Sequence, residues 1–188
     1  MAFIAVRRFA VLAVLALTFA ATAAQADVEK FMKQCDGKMC PFFRASVVIP
    51  EGWVEDEEAT DYFKAVFLLP KDVEFDNAPA KIYAIARYNR DKKPAATFIP
   101  AAIQDWKGRS KDAKIIKLDD LPRAGKTPFM RHQFEARRLK EQGYELQAVT
   151  SDSDKDGNEY VITITLSANS QAALKAAEPA YRAILEKY

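Results

Sequence analysis

The chain has 188 residues, 49% of them apolar and 29% charged, which is length and hydrophobic content enough for a sizeable core. Lys and Arg number 28 against 26 Asp and Glu, and Arg7 and Arg8 alone account for the excess of +2. A balance this close gives no electrostatic footing for a nucleic-acid partner, which draws on clustered excess Lys and Arg, so none is expected.

Arg7 and Arg8 precede an uncharged, mostly apolar run from Phe9 to Ala24, and Ala24-Gln25-Ala26 follows before Asp27. A basic start, an apolar stretch short for a bilayer and small residues at the minus-three and minus-one positions form the pattern of a signal peptide cleaved after Ala26. A retained anchor is the alternative. Cleavage leaves residues 27–188 with no net charge. They are expected to be one α+β domain without a stable membrane anchor, periplasmic or secreted.

Val28, Phe31, Met32 and Cys35 recur at helical spacing, which predicts a short amphipathic helix within 27–41 that ends by Pro41. Cys35 and Cys40, in CDGKMC, are the only cysteines. In an oxidising compartment two thiols this close most simply form a disulfide, here tying down the N-terminal helical segment, with reduced and inert thiols as the alternative. A redox pair would be C-x-x-C, haem attachment would need a following His, and zinc would need two more ligands.

Strands are predicted at Phe42–Ile49, closed by the Pro50-Glu51-Gly52-Trp53 turn, then at Tyr62–Leu69 before Pro70, and at Ala80–Tyr88 with Ile82, Ala84, Ala86 and Tyr88 on one face. From Thr97, taken as an N-cap, Phe98, Ala101, Ala102 and Trp106 mark a helix to about Lys111. A short strand near Lys114–Leu118 and a loop at Leu121–Gly125 follow. Three further strands come next, Thr127–Ala136, Tyr144–Thr150 and Glu159–Leu166, joined by turns short enough to make them antiparallel neighbours. The final helix, Gln171–Lys187, carries the stripe Leu174, Ala177, Tyr181, Ile184, Leu185 and Tyr188, and Pro179 should kink or divide it. The order predicts an α+β architecture: a central antiparallel sheet of about six or seven strands covered by helices on its faces.

Catalytic signatures do not emerge. His132 is the sole histidine, and it alternates with Met130 and Phe134 as a half-buried strand residue would. G-x-S-x-G, H-E-x-x-H, Walker A and G-x-G-x-x-G are missing. No catalytic residue, metal ligand or cofactor is assigned. Acids cluster at Glu55–Asp61, at Asp72, Glu74 and Asp76, and in SDSDKDGNEY, Ser151 to Tyr160. The last resembles the front of a calcium loop, yet its twelfth position is Thr163 in place of the bidentate Glu. A hairpin turn around Asp156-Gly157-Asn158 is the main reading, an incidental cation site the other.

Val48-Ile49-Pro50-Glu51-Gly52-Trp53, the Tyr62–Pro70 strand, Tyr160–Ala168 and Glu178–Leu185 together resemble the PsbP-like superfamily, the fold shared by the photosystem II extrinsic protein PsbP and the Ran-binding protein Mog. The resemblance covers roughly Phe42 to Tyr188. It implies an α/β/α sandwich and a mainly non-enzymatic, partner-binding or assembly role, with calcium or manganese in some members. The expectation is therefore an exported, non-enzymatic protein that binds an unknown protein partner. A calcium- or manganese-binding accessory protein using the acidic loops is the alternative, and an enzyme of unknown type the third.

Overall fold

The computed structural model describes residues 28–139 and 142–188. The segment 1–26, read in the sequence as a signal peptide, lies outside the described residues.

The segment predicted as an N-terminal helix is a β-hairpin, β1 (Val28–Cys35) with β2 (Lys38–Ala45), paired in register from Val28↔Ala45 to Cys35↔Lys38. Asp36 and Gly37 decide the matter. Both take positive φ, 47° and 76°, which is the two-residue hairpin turn that Asp-Gly favours and a helix cannot contain. Pro41 sits inside β2 without cost because a two-stranded ribbon is all edge. β2 stops at Ala45, so the strand predicted to Ile49 is shorter at its far end. Cys35 and Cys40 lie at disulfide distance across this ribbon, their Cα atoms 5.9 Å apart.

A second correction concerns Tyr62 and Phe63, which belong to a helix. β3 (Trp53–Glu55) leads to α1 (Glu57–Phe63), capped by Asp56, whose Oδ1 accepts from Ala59 N at 2.9 Å, with Glu57 and Glu58 in the first turn. Lys64 closes α1 in the left-handed region, φ 57°, and β4 (Val66–Pro70) begins two residues later. A 3₁₀ turn (Phe75–Asn77) and β5 (Ala80–Tyr88) follow. α2 (Ile99–Arg109) is entered through another 3₁₀ turn, so Thr97 is not its cap; its hydroxyl donates to Pro94 O at 2.7 Å.

β6 (Lys114–Arg123) runs through the predicted loop, with register shifts around Leu121, and turns at Ala124-Gly125 into β7 (Lys126–Glu135). Pro122 is tolerated because β6 is the last strand of the sheet. β8 (Tyr144–Ser153), β9 (Glu159–Ala168) and α3 (Gln171–Lys187) complete the chain. α3 continues as one helix past Pro179.

Among the described residues, β3 to β9 form one antiparallel sheet in the order β3-β4-β5-β9-β8-β7-β6, and with three α-helices the fold is α+β. β9 is the middle strand and is buried along almost its whole length. Tyr160, Ile162, Ile164 and Leu166 alternate into the main core, where α3 lays Leu174, Ala177, Tyr181, Ile184 and Leu185 against them; Tyr181 Oη also donates to Ile164 O at 3.2 Å. The hairpin joins the same core through Ala45 and Phe43, whose ring meets Tyr88 and Tyr160 at 5.6 and 5.2 Å. Strand residues of the other parity meet different partners: Val149 and Val161 pack with Ala95, and Phe134 stacks on Trp106 of α2 at 5.3 Å.

Candidate interaction surface at the first helix

Phe67 and Tyr83 are register partners on β4 and β5, and their rings stack at 5.2 Å. Alternation sends Phe67 away from the main core that takes Val66 and Leu68. Phe75, brought in by the 3₁₀ turn, meets Phe67 at 5.7 Å, and Phe63 of α1 meets Phe67 at 5.0 Å and Phe75 at 5.9 Å. Tyr62 completes the series edge-on to Phe63 at 4.8 Å. Five rings thus run from the sheet to solvent, where Tyr62 is 78% and Phe63 51% exposed.

Two hydrogen bonds hold α1 in this place. Phe67 N donates to Thr60 Oγ1 at 2.9 Å, and Asp56 N donates to Phe67 O at 2.9 Å. Tyr62, Phe63 and Phe75 line a cleft of about 350 Å³ whose remaining walls include Asp56, Glu58 and Asp76. Two of the three acidic clusters of the sequence therefore converge, around aromatic rings. Among the described residues no Lys or Arg lines the cleft itself, and the Lys81 ammonium lies over the Phe75 ring, 3.8 Å from its centroid. Three other bases nearby are engaged elsewhere: Lys33 pairs with Asp61 and holds its carboxyl below the usual range, Lys64 Nζ donates to Asp61 O, and Arg44 binds Glu55 at 2.5 Å.

The inner end of the ring series touches a buried polar island. Glu145, 4% exposed, is pushed up to about 7 by burial, which the Arg109 guanidinium and the nearby Ser167, Trp106 and Tyr83 side chains only partly offset. The same burial, with Glu145 beside it, raises the Tyr83 phenol. Glu145 pairs in register with Ser167, and Tyr83 with Thr165, so the island spans β5, β9 and β8 beneath α2.

The other residues singled out in the sequence go to separate places. His132 is 8% exposed on β7, on the same side of the strand as Phe134, and its register partners are Gln147 and Lys117. Burial, then Lys117, pull its imidazole down. Asp152 of SDSDKDGNEY parts from Asp154 and Asp156, which line one pocket together. Asp152 turns inward to Arg123 and Lys126 at 2.8 and 3.5 Å. Asp154 closes its own turn, accepting from the backbone N–H of Asp156 and Asn158, from Asn158 Nδ2 and from Tyr160 Oη, each at 2.9 Å. The stretch is the tip of the β8–β9 hairpin, with Gly157 at φ 77°. Among the described residues, no three His, Cys, Asp or Glu side chains come together as a ligand set for a metal ion.

The aromatic surface was missed in the sequence because Tyr62 and Phe63 prolong the apolar run of β4. The available signal was Asp56-Glu57-Glu58, a cap followed by acids in a first turn. No protein-family model matches the chain, and no curated protein matches it either.

Proposed function

We propose that this protein is an exported, non-enzymatic partner-binding protein, periplasmic or secreted, with helices on both sheet faces in the PsbP-like manner, and that it engages its protein partner through the α1 surface. The observation that carries the reading is the pair Tyr62 and Phe63, exposed on a five-ring series and edged by acids. Exposed aromatic side chains on a rigid support are the groups that dominate protein interfaces, and here the support is fixed by backbone hydrogen bonds from Asp56 and Phe67. The spacing of Cys35 and Cys40 is compatible with an oxidising, exported location.

The test compares capture of partners from the exported fraction by the wild type and by Tyr62→Ala/Phe63→Ala. Tyr62 is largely in solvent, so the double variant is expected to keep its fold. Truncating two anchors should weaken a true partner by about 2 kcal/mol or more, roughly thirtyfold. Equal capture by both proteins would remove this surface from the interface.

A further inference from the structure

We infer that the α1 cleft receives a lysine or arginine side chain from a segment of the partner protein. The inference rests on the partner-binding reading above and adds the chemistry of the occupant. Three observations converge on a cation. The cleft presents Tyr62, Phe63 and Phe75, and ring faces attract cationic heads. Phe75 already holds one, the Lys81 ammonium, 3.8 Å from its ring centroid. The walls contribute Glu58 and Asp76, for which no ion pair is found among the described residues, while one oxygen of Asp56 is taken by Ala59 N.

Charge around the cleft sharpens the choice. Lys33, Arg44 and Lys64 stand on the other side of α1, and contacts with Asp61 and Glu55 occupy them there. Against the Lys81 ammonium on Phe75, the carboxylates of Asp56, Glu58 and Asp76 leave the cleft net negative, although the whole chain is close to neutral. An acidic segment meets repulsion at this place, and a purely apolar one leaves the carboxylates without a counter-charge. A basic side chain satisfies both, its aliphatic stem along the rings and its head between Glu58 and Asp76.

The experiment uses two peptides of alternating lysine and alanine, one with free and one with acetylated lysines, titrated into the intact protein while the amide resonances of residues 56–63 and 75–77 are followed. The free-lysine peptide should shift these resonances and the acetylated one should not. Affinity should fall about tenfold in Glu58→Gln/Asp76→Asn and again in Tyr62→Ala, and should weaken as salt rises. Equal shifts from both peptides, or no loss in Glu58→Gln/Asp76→Asn, overturn the cationic occupant and leave the aromatic docking surface standing. Failure of the free-lysine peptide to shift these resonances at millimolar concentration also overturns the cationic occupant. The docking surface itself falls only when Tyr62→Ala/Phe63→Ala captures partners as well as the wild type does.

Discussion

Arg123 and Asp152 meet at 2.8 Å with 4% and 8% of their side chains exposed, so the β6–β7 turn and the end of β8 are joined by a buried ion pair. The guanidinium lies between the rings of Phe129 and Tyr188, 5.0 and 5.2 Å from their centroids, and donates to Tyr188 O at 3.1 Å. The sheet edge, the central hairpin and the last residue of the chain thus share one contact. Arg123→Met should destabilise the fold by about 3 kcal/mol, because Asp152 is left buried with only Lys126. A loss of that size lowers the melting temperature by roughly 10 °C in a chain of this length. Thermal unfolding of Arg123→Met and of Arg123→Met/Asp152→Leu checks it: the double variant should recover most of the loss, and an unchanged single variant would show the pair to be idle.

Glu145 predicts a pH dependence. Its folded value of about 7 lies above the ordinary 4.5, so the fold favours the protonated form. Its contribution to stability is full below about 4.5, declines as pH rises toward 7 and stays low above that. Arg109, Tyr83, Ser167 and Trp106 face the carboxyl and set the size of the effect. Glu145→Gln keeps the shape without the charge. It should raise stability on the order of 3 kcal/mol at pH 8 and be indistinguishable from wild type near pH 4.5. Parallel melting curves across that range would contradict the assignment.

Asp154 gives the opposite sign. Donation from the Asn158 side chain above all, with Tyr160 and two backbone N–H groups, holds its carboxyl down to about 2. Its stabilisation is present above the ordinary 3.8 and is lost as pH falls through about 2. Asp154→Ala should speed amide exchange at Asp156 and Asn158 while leaving α3 unchanged. Because both Asp154 oxygens already accept hydrogen bonds, millimolar calcium should not raise the wild-type melting temperature; a clear rise would reopen the cation site.

The Cys35–Cys40 pair predicts a local effect. The enclosed loop is short, so a cross-link contributes about 2 kcal/mol at most. Reduction should loosen β1 and β2 in hydrogen exchange and leave the seven-stranded sheet protected. Mass spectrometry of non-reduced, alkylated protein should find neither thiol modified.

Where the sequence carried a physical constraint of its own, the fold was legible in it. Alternation in Ala80–Tyr88, the β-branched run in β9 and the stripe on α3 each admit one period, and each formed as expected. Val28, Phe31, Met32 and Cys35 fit the helical period and divide between the two faces of the strand they form, and the positive φ at Asp36 and Gly37 is what selects the hairpin. Pro122 argues for a loop unless the strand is known to be an edge, which is a property of the whole sheet. The site depended on topology in the same way. Glu58 and Asp76 are visible as acids in the sequence, but β4 must pair with β3 on one side and β5 on the other before α1 and the Phe75 turn face each other. Glu145 reads as a solvent-facing member of an alternating strand, and its burial comes from α2 above it.

The pairing of β5 with β9 has a consequence for how the chain is made. It sets Ala80 against Ala168 and Tyr88 against Tyr160, so the middle of the sheet is a seam between an early segment and a late one. On a chain that emerges N-terminus first, β3, β4 and β5 can associate at once, but the inner edge of β5 has no neighbour until Glu159–Ala168 arrives. During that interval the AKIYAIARY edge is an open template for other chains, and closure of the whole molecule waits on its penultimate element.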